Sequence, residues 1–471
     1  MALSSSISKP EQPHVAVFAF PFGSHPISLL SLVRKLACAA PQVQFSFFNT
    51  AKSNASLFHS SSSSSSSNIP HNLKPCSVDD GVPVGHVLSG NPLEEVDFFL
   101  KSSIANFTNS MNDNNTNMRI TCLLSDAFVS SCCADVAEHF GVPWIAAWLP
   151  CSPSLSAHLH THLIRQHTRT NHHHLDFIPG LSEFLISDLP GEILSVSDDD
   201  LQSSPFLKTL SQLELVLPKA VSVVVSSYEE LNPPALDDDL RSKLGNVLDV
   251  GFFTVTLPLP PLPPSDSDPT GCLSWLDAQK PGSVAYISFG TVSMLPQKEL
   301  VALAEALEDT KVPFLWSLKD HLRKDLPSGF SERTKTQGKF VGWAPQKEVL
   351  SHDSVGVFLT HFGTNSVYEG VVCGVPLIGR PFFGDQHMMG RLVQTIWKDG
   401  LILEGPNNSG ELTKPGVKQS LELILGLANE EHGKKVRQGA LALKRRVLQA
   451  HLAPTSCAAR DFKILVALIS K

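Results

Sequence analysis

The stretch "VGVFLTHFGTNSVYEGVVCGVP", residues 355–376, decides how this chain is to be read. "VGVFLT" (355–360) has the composition of a buried strand, "HFGTNS" (361–366) is a turn rich in small residues, and "VYEGVVCGVP" resumes as the start of a helix. A turn between strand and helix aims backbone N–H groups and the positive end of a helix dipole at an anion. It contains no Lys or Arg, so a phosphate held there would be gripped without a cation.

The same α/β rhythm extends outward in both directions. Downstream of residue 280, "SVAYISFG" (283–290), "PFLWSL" (313–318), "GKFVGW" (338–343) and "GVPLIG" (374–379) read as strands. "PQKELVALAEAL" (296–307) places Leu300, Leu303, Ala304 and Leu307 on one helical face. In the first half, "HVAVFAF" (14–20), "VQFSFFN" (43–49), "RITCLLSDAF" (119–128), "PWIAAWL" (143–149) and "AVSVVVSS" (220–227) are strand runs, and "ISLLSLVRKLA" (27–37) has helical spacing. Strands alternating with helices imply mostly parallel sheets. The proline-rich "LPLPPLPPSDSDPTG" (257–271) is the clearest boundary, because its prolines stiffen the chain and remove N–H donors. The expected fold class is α/β: two Rossmann-like domains facing each other across a ligand cleft at the carboxyl ends of their strands. The first domain spans 1–256 and binds the acceptor, and 257–270 is the linker. The second spans 271–454, and 455–471 is a closing helix packing back on the first. Ser60–Ser67, an unbroken serine tract, reads as a surface loop.

Composition excludes several classes. Of 471 residues 42% are hydrophobic and 17% charged, which suits a globular chain with sizeable cores, and a net charge of −8 with no basic stripe argues against nucleic acid. Nine scattered cysteines without a CxxC pair fit a reduced, cytoplasmic setting. No run is apolar and long enough for a membrane span, and the N-terminus lacks the features of a signal peptide.

The segment from Trp343 to Gln386, "WAPQKEVLSHDSVGVFLTHFGTNSVYEGVVCGVPLIGRPFFGDQ", closely resembles the donor-binding signature box of plant UDP-sugar glycosyltransferases of secondary metabolism, whose fold is the two-Rossmann GT-B type. The resemblance continues through "HVAVFAFPFGSHPISLLSLVRKLA", "FIPGLSEFLISDLPGEI" and "LPKAVSVVVSSYEELNP", and is nearest the flavonoid 3-O-glycosyltransferase branch. It implies that Trp343 stacks on uracil with the Ala344 backbone on the base edge, and that Gln346 and Glu369 bind the ribose. His361, the Ser366 hydroxyl and backbone N–H groups around Thr364 and Asn365 would meet the diphosphate, with Thr291 adding a hydroxyl. Asp385 and Gln386 would hold the sugar, an acid and an amide suiting a diol. UDP-glucose is the implied donor, since Gln386 stands where galactose users of the family often carry His. It enters as co-substrate, with no permanently bound cofactor and no metal required.

The resemblance also makes His25 a general base and Asp126 its orienting acid. His25 follows the first strand and Asp126 ends "CLLSD", so both lie at carboxyl ends of strands in one sheet. A histidine of pKa near 6.5 facing a phenol near 10 must run about 5 kcal/mol uphill to complete proton transfer beforehand, so deprotonation has to accompany attack on the anomeric carbon. Direct attack inverts an α-linked donor to a β-glycoside. Phe128, His158, Phe206 and Leu93 would line the acceptor pocket of a flavonol or anthocyanidin whose 3-hydroxyl is glycosylated, the enzyme acting as a monomer.

Residue by residue, plainer readings stand beside these. A lone His is more often structural and Asp126 alone more often a strand-end cap, while Glu369 reads also as a solvated helix residue, Asp385–Gln386 as a surface turn and Phe206 at least equally as core. His158 and His162 share i, i+4 spacing within a histidine-rich run (158–174), but no third ligand follows at a standard zinc spacing. The box departs from the family's H-C-G-W-N-S at Phe362 and Thr364. The W-T-A-G-like segment is replaced by "WLPCSPSLSAH" (148–158), and Leu93 replaces a glutamine. These changes keep open a UDP-galactose or other-sugar enzyme on a different phenolic, and a weakened enzyme surviving as a polyphenol- or UDP-binding protein. A dehydrogenase is disfavoured because no G-x-G-x-x-G follows the first strand.

Overall fold

The computed structural model describes residues 12–58, 69–113, 119–168, 173–194, 199, 204–290, 294–403, 411–427 and 430–471. The chain forms two compact units. One comprises Met1–Asn171, Gly191–Thr254 and Pro454–Lys471, the other His172–Pro190 and Val255–Ala453.

The first unit is built on seven parallel strands: β1 (His14–Phe18), β2 (Gln44–Thr50), β3 (Leu73–Val78), β4 (Cys122–Asp126), β5 (Trp144–Trp148), β6 (Ser222–Val225) and β7 (Val247–Asp249). Their order is β3-β2-β1-β4-β5-β6-β7. Every residue of β1, β4 and β5 is buried, which explains why β5 is apolar throughout and β1 after His14, while β4 stays apolar until Ser125 and Asp126 at its carboxyl end: a parallel sheet is covered on both faces. The helix His25–Ala39 turns Leu29, Leu32, Val33 and Leu36 onto this sheet, and the final helix Cys457–Ile469 adds Leu465 and Ile469 to the same core. His25, just past the first strand, is the first residue of that helix, with Pro26 behind it in a first turn where a missing N–H costs nothing.

The second unit has six parallel strands: β8 (Val284–Ser288), β9 (Phe314–Ser317), β10 (Gly338–Val341), β11 (Val355–Thr360), β12 (Leu377–Gly379) and β13 (Gly400–Ile402), in the order β10-β9-β8-β11-β12-β13. The helix Gln297–Thr310 buries the predicted Leu300, Leu303, Ala304 and Leu307 in its core. Residues 172–190, placed with the first domain by the linker reading, group instead with the second unit. The Asp188 carboxylate there accepts two hydrogen bonds from Arg391, at 2.9 and 3.1 Å, with both side chains largely buried.

Both sheets carry the doubly wound strand order, and in both the direction of winding reverses at one seam, between β1 and β4 in the first and between β8 and β11 in the second. Loops at the carboxyl ends of such a seam diverge and leave room for a ligand. No described helix is long and apolar enough to cross a membrane.

Candidate active site

In the first unit the seam brings together the two residues expected to act as base and orienting acid. His25 Nδ1 lies 2.8 Å from Asp126 Oδ2, and the other carboxylate oxygen accepts the Phe128 N–H at 2.9 Å. Asp126 is fully buried while His25 keeps 19% of its side chain exposed, so the pair is anchored from below and open above. A carboxylate at Nδ1 holds the proton on that nitrogen and leaves Nε2 basic. The His25 ring sits 4.5 Å from Phe128 and 5.1 Å from Phe20, centroid to centroid. Phe206 is 6.0 Å from both Phe20 and Phe128, and it is half-buried instead of sealed in the core. Its position is set by Asp97, whose Oδ1 accepts the Phe206 N–H at 3.0 Å and the Ser204 hydroxyl at 2.9 Å. A basic imidazole beside aromatic faces suits a flat phenolic compound.

In the second unit His361 follows β11 at the equivalent seam. Gly290, on the turn after β8, and Gly363 clear space for it: a methyl at Gly290 would come within 2.8 Å of the ring carbon Cε1, and one at Gly363 would press on Nε2. Burial pushes the His361 pKa down to about 4, so the ring is neutral at physiological pH. The helix Thr364–Cys373 begins just beyond, and Val367 is the first residue to bond back, to the Gly363 carbonyl at 3.1 Å. The amides ahead of it lie at the positive end of the helix. A neutral imidazole N–H beside the amides of a helix start can hold an anion without a formal cation.

Gln346 organises the adjoining surface. Its amide nitrogen donates to Glu369 Oε2 at 2.8 Å and to Ser366 Oγ at 3.2 Å, and its oxygen accepts from the buried Tyr286 hydroxyl at 3.2 Å. Burial raises the Glu369 pKa, against the Gln346 hydrogen bond that lowers it. Trp343, 66% exposed, presents a bare ring face next to buried Ala344. A large aromatic left in solvent beside a polar network is a stacking surface.

The loop from Arg380 to Gln386 completes this site. Arg380 is bound by Glu299 through two hydrogen bonds, at 2.8 and 2.7 Å, and its N–H meets the Thr360 carbonyl at 2.9 Å. At the other end Gln386 Oε1 accepts the Phe382 N–H at 2.8 Å. Asp385 Oδ2 accepts from the Thr364 hydroxyl at 3.1 Å.

The sequence of this family is matched over most of the chain: residues 95–434 fit the family described as UDP-glucoronosyl and UDP-glucosyl transferase. The chain belongs to the UDP-glycosyltransferase family. A flavonol 3-O-glucosyltransferase of Actinidia chinensis var. chinensis is 44% identical, covering 97% of this chain and 96% of its own length. An anthocyanidin 3-O-galactosyltransferase of Rhododendron delavayi is 42% identical, covering 97% of each chain. The crystal structure of a UDP-glucose:anthocyanidin 3-O-glucosyltransferase in complex with UDP shares 45% identity, with a TM-score of 0.89 over 98% of this chain and all of that one. The enzyme is thus a UDP-glycosyltransferase whose two Rossmann-like domains have the GT-B architecture of its relatives.

Within this UDP-glycosyltransferase the first unit joins His25, Asp126, Phe128 and Phe206, and the second joins Gln346, Ser366 and Glu369, and separately Thr364 and Asp385. His158 lies off to one side. It is buried, its Nδ1 donates to the Ser154 carbonyl at 2.8 Å, and its ring packs on Trp148, which in turn reaches Phe128. The i, i+4 pair His158 and His162 does not share a helix, because the chain breaks at His160 between Ser152–Leu159 and Thr161–His167. Leu93 is exposed on the first turn of the helix Pro92–Asp113 and is not among the side chains meeting His25. Thr291, the serine tract and His172 fall outside the described residues. Sequence reasoning missed Phe20, Asp97 and Tyr286. The aromatic run "FAFPF" (18–22) immediately before His25 was the available signal for Phe20.

Phe362 explains itself structurally. It adopts a left-handed φ of 59° and is fully buried, with its ring over the faces of Gly379 and Gly390, where a methyl on Gly390 would come within 2.8 Å. The two glycines make the room that the large residue needs.

Proposed function

We propose that this enzyme transfers glucose from UDP-glucose to the 3-hydroxyl of a flavonol or anthocyanidin, with inversion, giving a β-O-glycoside. The observation that carries the acceptor half is the 2.8 Å His25–Asp126 hydrogen bond set among Phe20, Phe128 and Phe206 in a member of this family. The relatives named for flavonol and anthocyanidin 3-O-glycosylation support the substrate class.

In this reading His25 Nε2 takes the hydroxyl proton as the acceptor oxygen bonds to C1 of the sugar. The C1–O bond to the β-phosphate breaks, and its electron pair leaves on UDP. Asp126 steadies the imidazolium that forms. Trp343 stacks on uracil, with the Ala344 backbone at the base edge. Gln346 and Glu369 hold the ribose. His361, Ser366, Thr291 and the amides around Asn365 take the diphosphate, and charge developing on the leaving oxygen meets these donors already in place. Asp385 and Gln386 hold the sugar, and Phe128 and Phe206 face the acceptor, with His158 and Leu93 further along its wall. The setting is cytosolic, in keeping with nine scattered cysteines without a CxxC pair, and the working form is a monomer.

Purified protein incubated with kaempferol and UDP-glucose should give a 3-O-β-glucoside by mass and NMR, with UDP-galactose and UDP-rhamnose as slower donors. No product with any donor, alongside intact UDP binding, would replace the enzyme reading with a binding-protein one. Full-rate product from His25→Ala would sink the assigned base. Faster turnover with UDP-galactose would transfer the assignment to that sugar, in line with the galactosyltransferase relative.

A further inference from the structure

We propose that Thr364 is a positioning residue for the donor sugar, fixing the carboxylate of Asp385 so that it reads one sugar hydroxyl as an acceptor. The inference rests on the reading above, that this box holds a UDP-hexose. Thr364 opens the helix Thr364–Cys373, and its hydroxyl donates to Asp385 Oδ2 at 3.1 Å. Asp385 stands at the N-cap of the next helix, Gln386–Arg391, yet makes no side-chain capping bond to it. An aspartate at that place ordinarily turns its carboxylate back onto its own helix amides. Here Oδ2 instead accepts from the Thr364 hydroxyl at the start of another helix.

The neighbouring Gln386 is committed in the opposite sense. Its side-chain oxygen accepts the Phe382 N–H at 2.8 Å, which leaves the amide N–H groups as the donors it can offer. Two adjacent side chains therefore have fixed and opposite polarity. Asp385 accepts and Gln386 donates, which suits two neighbouring hydroxyls of one pyranose, the first giving a proton and the second receiving one. The Thr364 hydroxyl occupies one lone pair of Asp385 Oδ2 and restricts the rotation of the carboxylate.

Titration calorimetry with UDP-glucose and with UDP tests this on wild type, Thr364→Val and Thr364→Ser. The valine variant keeps the shape and loses the hydroxyl. Its affinity for UDP-glucose should fall about tenfold, the worth of one hydrogen bond to a charged group. Its affinity for UDP, which has no sugar, should stay at the wild-type value, and this also reports an intact fold. The serine variant should recover most of the lost UDP-glucose affinity, and turnover with kaempferol should show the valine defect as a raised KM for UDP-glucose. Equal UDP-glucose affinity in Thr364→Val and wild type would overturn the proposal, as would a parallel loss of UDP affinity or a serine variant as weak as valine. A wild-type protein that binds no UDP-glucose would overturn this proposal and the proposed function together. An active wild type with a silent Thr364→Val would overturn the Thr364 role alone.

Discussion

Replacing Gly363 by alanine isolates the contribution of His361. The backbone at Gly363 has φ −63° and ψ 136°, which alanine adopts without strain, so the substitution acts only through what its methyl touches. That methyl would press on His361 Nε2 and lie 2.9 Å from Cε1, closer than unbonded carbons tolerate, so the imidazole has to swing away. Gly290→Ala would also meet the ring but adds the strain of a residue at φ 77°, which confuses binding with stability. A neutral imidazole N–H on a diphosphate is a hydrogen bond to a charged acceptor, worth about 1.5–3 kcal/mol. Losing it should raise the Kd for UDP by about 10- to 100-fold. The thermal midpoint should move little, because the ring is displaced without opening a core cavity. Calorimetric titration with UDP alongside a thermal melt measures both. The double variant with His361→Ala supplies the control: if Gly363→Ala works through the ring, the pair should bind UDP no more weakly than His361→Ala alone. Wild-type affinity in a folded Gly363→Ala protein, or losses that add in the double variant, would refute the argument.

Asp126→Asn keeps the side-chain shape but favours the wrong imidazole tautomer, so kcat should fall by about 10²–10⁴ with the Kd for UDP unchanged; a fall in UDP affinity of similar size would contradict the role. His361, near 6.5 when unfolded and held at about 4 by burial, contributes stability that is complete above pH 6.5 and is lost as pH falls through 4. Wild type should therefore lose about 2 kcal/mol more than His361→Gln between pH 7 and 4.5 in urea melts. Asp237 shows the opposite sign, since burial raises it from 3.8 to about 7. Its stabilisation is complete below 3.8 and is lost as pH rises through 7, so Asp237→Asn should gain about 2 kcal/mol over wild type between pH 5 and 8. Gly379→Ala would drive a methyl into the Phe362 ring and should destabilise by about 1–3 kcal/mol, but should be close to neutral in a Phe362→Ala background; equal costs in both would show that the ring is not what the glycine accommodates.

Much of this fold is legible in the sequence because a parallel sheet needs strands that are apolar on both faces, and β1, β4, β5 and β11 advertise that need. The strands β7 and β13 are three residues each, too short to show any period, and β3 exposes Lys74, Pro75 and Ser77 at its edge, so these are absent from the sequence reading. Placing His25 and Asp126 on strand ends was enough to predict that they could meet. Nothing local could show that Asp188 would find Arg391, 203 positions away, and so carry residues 172–190 into the second unit. The bond from Thr364 to Asp385 was hidden in the same way. The threonine stood out as a departure within its box, but its partner is visible only once two helix starts are brought together.

Each unit holds a histidine at the seam of its sheet, and the two surroundings prepare them for different work. His25 has a buried carboxylate at Nδ1, the arrangement in which an imidazole can take a proton and remain stable as a cation. His361 pairs with no carboxylate among the described residues; its Nδ1 lies 3.5 Å from the Thr360 hydroxyl, and burial holds it neutral. With its pKa lowered to about 4 by burial, the ring of the ligand-free chain is neutral and offers an N–H, and on the proposed reading it is a donor to the diphosphate. The absence of Lys and Arg from "HFGTNS" then has a physical sense. On the proposed reading, neutral donors oriented in advance would stabilise charge developing on the leaving diphosphate without an ion pair. The proposed roles, base in one sheet and neutral donor in the other, follow from one seam supplying a carboxylate at 2.8 Å while, among the described residues, the other supplies none.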